Sequence, residues 1–312
     1  MSEITQDLRL QPGATTRSNA AALNRNEARW AYLFVTPAMV LFLIFVLLPA
    51  IIALILSFTS YDVLSPIKWV GSANYERLFK DRLYFQALGN VVIYAIMYVP
   101  LMIVFSLGIS LALNRKMPGM RLFRAMYYIP VITSPVAAAT IWSWLLSRSG
   151  LVNQSFGLFG LPPIAWLSNS DTAMLAIVLV TIWQGLGGNM VIYLAGLQGV
   201  PEYLYEAAVL DGANKWQLLR FITWPSLRTT TFFVSTLSLI GAFQLFDQAY
   251  VLFQQGGGPG NSARTVVFTI YENGFNQLKM GYAASQAFVL FILIFFVTII
   301  NLRINREQNN AA

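Results

Sequence analysis

The sequence predicts an all-α membrane protein with six transmembrane helices. Of its 312 residues, 57% are hydrophobic and only 11% are charged, whereas soluble domains carry about 25% charged residues. One or two soluble cores cannot bury so large an apolar fraction at this chain length. The apolar residues also form long continuous runs rather than an alternating pattern, which argues against membrane-spanning β-strands.

Six charge-free runs define the predicted helices, since a helix needs about 20 apolar residues to cross the hydrocarbon layer. The runs are 30–61, 83–114, 125–147, 172–201, 229–246 and 280–302. The fifth run is the shortest, but an apolar stretch continues beyond Asp247, so it is also predicted to span. Gly and Pro residues interrupt a seventh charge-free stretch, 149–170. We expect that stretch to form an outer loop with a short interfacial helix.

The distribution of Lys and Arg predicts the orientation of the chain. The segments 1–30, 114–124, 200–228 and 303–312 hold 13 Lys or Arg in 80 residues, and the segments on the opposite side hold 7 in 75. The more basic side is expected to be cytoplasmic, which places both termini there.

The predicted organisation has three parts: a cytoplasmic N-terminal segment, a six-helix domain and a cytoplasmic tail. Their ranges are 1–29, 30–305 and 306–312. Residues 1–25 are expected to be mobile or to lie on the membrane surface. The first apolar run is followed by no small-residue cleavage site at signal-peptide length, so we interpret it as an uncleaved helix.

Composition excludes several classes of function. The chain has no Cys and no His, which removes thiol nucleophiles, disulfides, Cys-ligated zinc and histidine acid–base chemistry. No catalytic residue and no metal site are predicted. The net charge of +7 comes mostly from cations at the ends of apolar runs, where they contact lipid headgroups, so nucleic-acid binding is not expected.

Polar side chains inside the predicted spans are candidates for a solute path, because such groups are costly when they face lipid. Two amides and three glycines occur together in Gln184-Gly-Leu-Gly-Gly-Asn189. Asp247 is the only acid inside a predicted span, and Gln244 lies three residues earlier on the same helical face. The candidate path residues are Gln184, Asn189, Tyr193, Gln244 and Asp247.

Each candidate has a structural alternative. Asp247 either binds a solute hydroxyl or serves a structural role, capping backbone amides or pairing with a cation such as Arg264. Tyr193 either stacks on a ring of the solute or packs within the helix bundle, as aromatic side chains at helical spacing commonly do.

The loop 200–226 carries the most specific pattern. Pro201 and Glu202 are typical of a helix start, and Gly212 is typical of a helix end. A second short helix is predicted at about 214–221, with Asn214 as its N-cap, and Pro225 is expected to end the turn that follows. From the residues alone, these two amphipathic helices either lie on the membrane or bind a partner protein.

The spacing in this loop resembles the EAA motif of permease subunits in bacterial ABC importers. The motif residues are Glu206, Ala207, Ala208, Gly212, Ile222 and Pro225, and the one departure is Trp224 where the motif usually has Leu. Three further segments resemble carbohydrate permeases of the maltose/glycerol-phosphate type. They are Asp211-Gly212-Ala213, Phe246-Asp247 followed by Gly257-Gly258-Pro259, and Gly71-Ser-Ala-Asn74-Tyr75.

The resemblance implies the type I ABC importer permease fold and half of a translocation path for a sugar in the bacterial inner membrane. A second homologous permease would complete the path, an extracytoplasmic solute-binding protein would deliver the carbohydrate, and two ATPase subunits would bind the EAA loops. It also implies residues that couple to the ATPases, namely Glu206, Ala207, Ala208, Asp211, Gly212 and Lys215.

No enzymatic activity is expected of the chain itself. It contains no G-x-x-x-x-G-K-[ST] loop, so ATP and Mg would be used only by the partner ATPases and no cofactor would be bound here. The alternatives are a self-contained secondary transporter and a membrane-embedded enzyme. Both need more ionisable groups at mid-membrane than a single acid.

Overall fold

The computed structural model describes residues 15–115, 117–253 and 257–310. The protein is predominantly helical, and the described part contains one small antiparallel ladder in which Thr59–Ser60 pairs with Lys68–Trp69. The chain divides into two compact units, residues 1–55 and 56–312.

The first unit is helical from Thr15 onward. Its elements are α1 (Thr15–Phe42), a π-helical turn (Leu43–Leu47) and α2 (Leu48–Leu56), whose last residue belongs to the second unit. Of the segment 1–25, which was expected to be mobile or surface-bound, residues 15–25 are helical and residues 1–14 lie outside the described residues. The predicted boundary at 29/30 therefore falls inside a helix.

The second unit contains the remaining helices. They are α3 (Ala73–Phe79), α4 (Arg82–Leu113), α5 (Met120–Ile132), α6 (Pro135–Leu145), α7 (Leu151–Leu158), α8 (Ser170–Gln198), α9 (Glu202–Leu210), α10 (Lys215–Leu218), α11 (Trp224–Ser226), α12 (Arg228–Phe243), α13 (Asp247–Leu252), α14 (Val266–Tyr271) and α15 (Met280–Asn310). The eight-residue α7 is the short helix expected in the loop 149–170. α15 continues through residue 306, where the tail was predicted to begin.

Four of the six predicted spans are long, apolar helices of sufficient length to cross a membrane: Trp30–Leu56, Arg82–Leu113, Ser170–Gln198 and Met280–Arg303. The third predicted span is bent by 98° between α5 and α6, and the pair counts as a fifth crossing if the two helices act as one. The bend lies where Thr133 leaves the helical region at ψ 136° and Pro135 starts α6.

The fifth predicted span is not one continuous helix. α12 has 16 residues and ends at Phe243, and the helix starts again as α13 at Asp247. The backbone of Phe246, with φ −141° and ψ −66°, interrupts the helix between them. The sequence prediction that Gln244 and Asp247 share one helical face is therefore wrong, because the two residues lie on opposite sides of this break.

α8 is the central helix of the second unit. It packs against α4, α5, α6, α12 and α13, and its Ile177 and Val180 are fully buried in the main apolar core. A second core, which includes Leu78, Tyr84 and Val266, joins α3, α4, α14 and α15. Burial of α8 among protein helices explains why this span tolerates polar and small residues that would be costly against lipid.

Close packing favours glycine at two positions of α8, against backbone atoms at Gly187 and against side-chain atoms at Gly196. A Cβ atom at Gly187 would lie 2.1 Å from the carbonyl oxygen of Tyr127 in α5, and one at Gly196 would lie 2.5 Å from Oγ1 of Thr230 in α12. Small residues let membrane helices approach closely enough for extensive van der Waals contact. Between Gln184 and Asn189, Gly185 thus lies beside Met102 and Tyr98 of α4, and Gly187 lies against α5.

The segment before α4 is held by the side chains of Asn74 and Tyr75. The Asn74 amide donates to the carbonyls of Ser57 and Thr59, both at 2.8 Å, and the Tyr75 hydroxyl lies 2.7 Å from the Ser57 hydroxyl. Gly71 has φ +58° in the turn that leads into α3. The Gly-x-x-Asn-Tyr pattern thus has a structural role, fixing the chain between residues 57 and 75.

Replacing Gly187 by Ala is expected to destabilise the bundle by about 1–3 kcal/mol, because α5 must move to admit the methyl group. Gly89→Ala in α4 is the matched control, since its Cβ would meet no atom within 4 Å. Thermal unfolding of the purified variants, followed by intrinsic tryptophan fluorescence, measures the difference. Equal melting temperatures for the two variants would show that the α5–α8 contact is not as close as described.

Candidate functional site

The EAA loop, residues 200–226, forms short helices that follow the end of α8. Pro201 is the N-cap of α9 and Glu202 is its first residue, so the helix starts one position later than predicted. No side chain of α9 is buried, and Tyr203 and Leu210 are 66% and 88% exposed. α9 thus presents apolar as well as charged side chains on the surface of this chain.

A Schellman turn ends α9 and explains the position of the motif glycine. Gly212 has φ +82° and donates its N–H to the carbonyl of Val209 at 3.0 Å. The next amide, that of Ala213, donates to the carbonyl of Ala208 at 2.9 Å. Only glycine adopts this backbone conformation without strain. The Schellman turn at the end of α9 therefore explains why the motif glycine lies four residues after Ala208.

The second helical part of the loop is longer than predicted. Asn214 caps α10 as expected, through reciprocal hydrogen bonds with Gln217 of 2.7 and 3.0 Å. α10 continues through a π-helical turn, Leu219–Thr223, into α11, and Pro225 lies in the first turn of α11 instead of ending the segment. The Tyr205 hydroxyl lies 3.1 Å from that of Thr223 and joins α9 to this part.

The six predicted coupling residues lie together in α9, the Schellman turn and the start of α10. Ala208 is half-buried, and the other five are exposed, namely Glu206, Ala207, Asp211, Gly212 and Lys215. Among the described residues, no side chain forms a hydrogen bond or an ion pair with Glu206 or Lys215. Both charges are therefore available to another protein.

A polar cavity of about 220 Å³ lies between α4, α8 and the break that separates α12 from α13. Its lining includes three of the predicted path residues, which are Gln184, Gln244 and Asp247. The break gives this region its polarity, because it brings the side chains at the end of α12 and the start of α13 to one wall. The structure thus assembles most of the predicted path by a backbone feature that the sequence analysis did not anticipate.

Gln184 is held in a fixed orientation at the cavity. It is 8% exposed, and its amide donates to the carbonyl of Thr133 at 3.0 Å, in the break between α5 and α6. Its side-chain oxygen accepts from the amide of Gln248 in α13 at 2.8 Å. One carboxamide therefore joins three helical segments through hydrogen bonds.

Gln244 and Asp247 are polar groups that the fold leaves without a protein partner. Within the described part of the chain, neither side chain forms a hydrogen bond or an ion pair. Gln244 is exposed and Asp247 is half-buried. A search of the described residues finds no group of three or more acidic side chains that could hold a metal ion. The chemistry available at this wall is hydrogen bonding to a polar solute.

Asn189 and Tyr193 do not line the cavity. The Asn189 amide donates to the carbonyl of Gly185 at 3.1 Å, one turn earlier on α8. Tyr193 is completely buried in an apolar cluster with Leu107, Leu197, Leu227 and Val234. The position of Tyr193 agrees with the packing interpretation rather than with stacking on a sugar.

The sequence analysis missed several residues at the cavity. Tyr94 and Tyr98 of α4 stack with ring centroids 5.1 Å apart, and the Tyr94 hydroxyl donates to Thr181 at 2.9 Å. Phe246, at the helix break, packs against the rings of Tyr250 and Tyr271 at 5.1 and 5.2 Å. Aromatic residues are common in any membrane bundle, so no signal in the sequence distinguished these from packing residues.

The suggested pairing of Asp247 with Arg264 is wrong. Arg264 is buried and forms an ion pair with Glu272, and its guanidinium lies 4.9 Å from the Phe268 ring centroid. Asn90 of α4 holds this region by donating to the backbone carbonyls of Asn261 and Arg264 at 2.7 and 2.9 Å. The segment after Gly257-Gly258-Pro259 thus supports α4, and no cation among the described residues pairs with Asp247.

Comparisons with known proteins agree with this architecture. Residues 84–309 match the family described as binding-protein-dependent transport system inner membrane components. The arabinooligosaccharides transport system permease protein AraP of Bacillus subtilis is 34% identical, with 94% of each chain covered. The lactose transport system permease protein LacF of Rhizobium radiobacter is also 34% identical over 89% of this chain and 94% of the relative.

A solved structure shares the fold. It is a bacterial alginate ABC transporter in complex with an alginate pentasaccharide-bound periplasmic protein, and the match has a TM-score of 0.79 at 21% identity, covering 92% of this chain and 97% of the matched chain. The family match covers more than two thirds of the chain and includes the central helix α8, the EAA loop and the polar cavity. The chain belongs to the binding-protein-dependent transport system inner membrane components and is a permease subunit of an ABC importer.

Proposed function

We propose that this permease forms half of the translocation path for a carbohydrate and is driven by ATPase subunits that bind its EAA loop. The exposed helix α9 is the observation that carries the proposal: Leu210 is 88% exposed, and the Glu206 side chain is exposed and has no side-chain partner among the described residues. A short helix with an 88% exposed leucine is poorly suited to remain uncovered in water, since each buried apolar side chain contributes about 1.5–3 kcal/mol. Burial of α9 in a cleft of a partner protein would stabilise the complex by about this free energy.

A carbohydrate is the solute that the cavity favours. Amide and carboxylate groups at Gln244 and Asp247 accept and donate hydrogen bonds to hydroxyl groups, and the ring of Phe246 lies beside them. The names of AraP and LacF state that these relatives transport arabinooligosaccharides and lactose. The proposed path includes Gln184, Gln244 and Asp247, with Asn189 farther along α8, and excludes Tyr193 because it is buried in the bundle.

The cavity volume supports a path shared between two permeases. Small-molecule sites usually measure about 300–1,000 Å³, whereas this cavity measures about 220 Å³. We infer that a second, homologous permease provides the facing wall. Delivery by an extracytoplasmic solute-binding protein is supported by the family description and by the periplasmic protein in the alginate transporter complex.

The proposal places the EAA loop and both termini in the cytoplasm. The greater density of Lys and Arg on that side supports this orientation. The residues proposed to couple are Glu206, Ala207, Ala208, Asp211, Gly212 and Lys215, and ATP with Mg would be consumed only in the partner subunits. Glu206 and Lys215 offer one charge of each sign, which favours a partner surface with the opposite pattern.

Isolation of the complex tests the assignment. A tagged chain, purified from its own bacterium in mild detergent, is expected to retain a second permease and two ATPase subunits, and mass spectrometry of the matching solute-binding protein identifies the bound sugar. Accumulation of solute by the chain alone in proteoliposomes, driven by an ion gradient without ATP, would establish a secondary transporter instead.

Glu206→Lys is expected to abolish coupling, since a like-charge contact in a desolvated interface costs several kcal/mol. Uptake of the sugar and the amount of ATPase that co-purifies should both fall at least about 10-fold. Glu76→Lys is the matched control. Glu76 is also an exposed carboxylate, but it lies on α3, the short helix before α4, and not in the EAA loop. Normal uptake and normal ATPase recovery in Glu206→Lys would show that Glu206 is only a surface charge.

Gln244→Leu and Asp247→Asn are expected to raise the half-saturation concentration for the sugar about 5- to 30-fold, the effect of losing one or two hydrogen bonds. Tyr193→Phe is the control, since Tyr193 is buried in an apolar cluster and does not line the cavity. Uptake of radiolabelled sugar measures all three variants.

Thiol labelling distinguishes a solute path from packing, because the native chain contains no cysteine. Single cysteines at 244 and 247 are expected to react with a water-soluble reagent and to be protected by the sugar. A cysteine at 193 should stay unreactive. If the cysteines at 244 and 247 are also unreactive with and without ATP, the proposed path is wrong while the family assignment is unaffected.

A further inference from the structure

A second cavity, of about 490 Å³, lies where the last residues of α4 and α8 meet the first turn of α5. Three arginines line it, Arg115, Arg121 and Arg124, together with the neutral polar side chains of Asn114 and Gln198. No carboxylate occurs among the described residues of this lining. The described lining therefore carries three cations and no carboxylate, an arrangement that attracts an anion.

The local structure directs these arginines to one place. Arg121 and Arg124 are three residues apart on α5 and so share a face, while Arg115 follows the end of α4. Arg124 donates from Nη2 to the carbonyl of Leu113 at 2.8 Å and thereby ties α5 to α4. Its Nε is buried and has no acceptor among the described residues.

Backbone geometry adds to the positive potential. The N-cap of α5 is Gly119, which has φ +86° and no side chain to cap the first turn. The helix dipole places partial positive charge at this end of the 13-residue helix, while the amides of Met120, Leu122 and Phe123 already donate to the backbone carbonyls of Met117 and Gly119. The three guanidinium groups beside this helix start favour a phosphate-type anion.

The cavity lies beside the ends of two candidate membrane spans. α4 and α8, whose ends border it, are both long and apolar enough to cross a membrane. The neighbouring side chains of α5 are apolar and exposed, with Leu122 at 66%, Phe123 at 51% and Met126 at 56%. A basic cavity next to an exposed apolar strip matches an amphiphile with an anionic head and apolar chains, and a soluble phosphate would use only the first feature.

We propose that this cavity binds the headgroup of an anionic phospholipid. Arg115 and Arg121 hold the phosphate, and the acyl chains lie along Leu122 and Phe123 of α5. Gln198 is the last residue of α8 and lies in the cavity lining, so the bound lipid braces the point from which the EAA loop leaves the bundle. The site is separate from the polar cavity and does not depend on the identity of the transported solute.

Native mass spectrometry of the full chain tests the proposal. The protein is exchanged into phosphatidylglycerol or phosphatidylcholine with identical acyl chains, and we expect one phosphatidylglycerol molecule to remain bound at collision energies that remove phosphatidylcholine. Arg115→Gln combined with Arg121→Gln should weaken this binding about 30-fold, since each arginine near a lipid surface contributes about 1 kcal/mol. Arg124 stays unchanged because it also supports the fold.

Matched variants distinguish lipid binding at this cavity from a general effect of positive charge on lipid binding. Arg82→Gln combined with Arg148→Gln removes the same charge from two exposed positions outside the cavity and should leave phosphatidylglycerol binding unchanged. Arg115→Lys combined with Arg121→Lys should retain most of the binding, which keeps the test valid if the glutamine variant does not fold. Equal loss in the Arg82/Arg148 control, or complete loss in the lysine variant, would overturn the proposal.

A competition arm separates a lipid from a soluble anion. A large excess of inorganic phosphate is expected to leave the phosphatidylglycerol bound, because it cannot replace the acyl-chain contacts. Displacement of the lipid by inorganic phosphate, or equal retention of phosphatidylcholine and phosphatidylglycerol, would show that the cavity does not recognise an anionic lipid headgroup.

Discussion

The carboxamide of Gln184 is the interaction on which the centre of this permease depends. Its amide donates to the Thr133 carbonyl, which the bend between α5 and α6 removes from helical hydrogen bonding. Its oxygen accepts from the side-chain amide of Gln248, in the first turn of α13. A free carbonyl inside a membrane costs several kcal/mol, so the break between α5 and α6 is acceptable only where a polar side chain meets the Thr133 carbonyl. α8 supplies that side chain because it is surrounded by protein on most sides.

The same helix connects the cavity with the EAA loop. Gln184 lies 14 residues before the end of α8 at Gln198, which corresponds to about 21 Å along a helix that rises 1.5 Å per residue. Gly187 and Gly196 hold α8 against α5 and α12 at distances that leave no room for a Cβ atom. A displacement of the loop is therefore expected to move α8 together with the helices packed on it, because closely packed cores do not deform locally.

Much of this architecture follows from the sequence. Long charge-free runs predict the spans because hydrocarbon tolerates no unpaired charge, and the interval from Ala208 to Gly212 predicts the end of α9 because only glycine suits the Schellman turn. The break at Phe246 was not predictable, since neither Pro nor Gly marks it and tertiary contacts impose its backbone angles. Arg264 pairs with Glu272 instead of Asp247 for the same reason. Tyr193 and Tyr94 are chemically identical and both are buried, and only their packing shows that the second lines the polar cavity whereas the first lies in a separate apolar cluster.

Polar side chains within the bundle fall into two classes, according to whether another group of the protein forms a hydrogen bond with them. Thr181, Gln184 and Asn189 already have protein partners, so they stabilise the fold, and a passing solute would have to break existing bonds to use them. Gln244 and Asp247 lack such partners among the described residues, and the helix break holds them at the cavity wall. At these two residues, hydrogen bonds to the proposed sugar would break no side-chain hydrogen bond of the described part of the fold. Weak binding of this kind suits a path that must also release its solute.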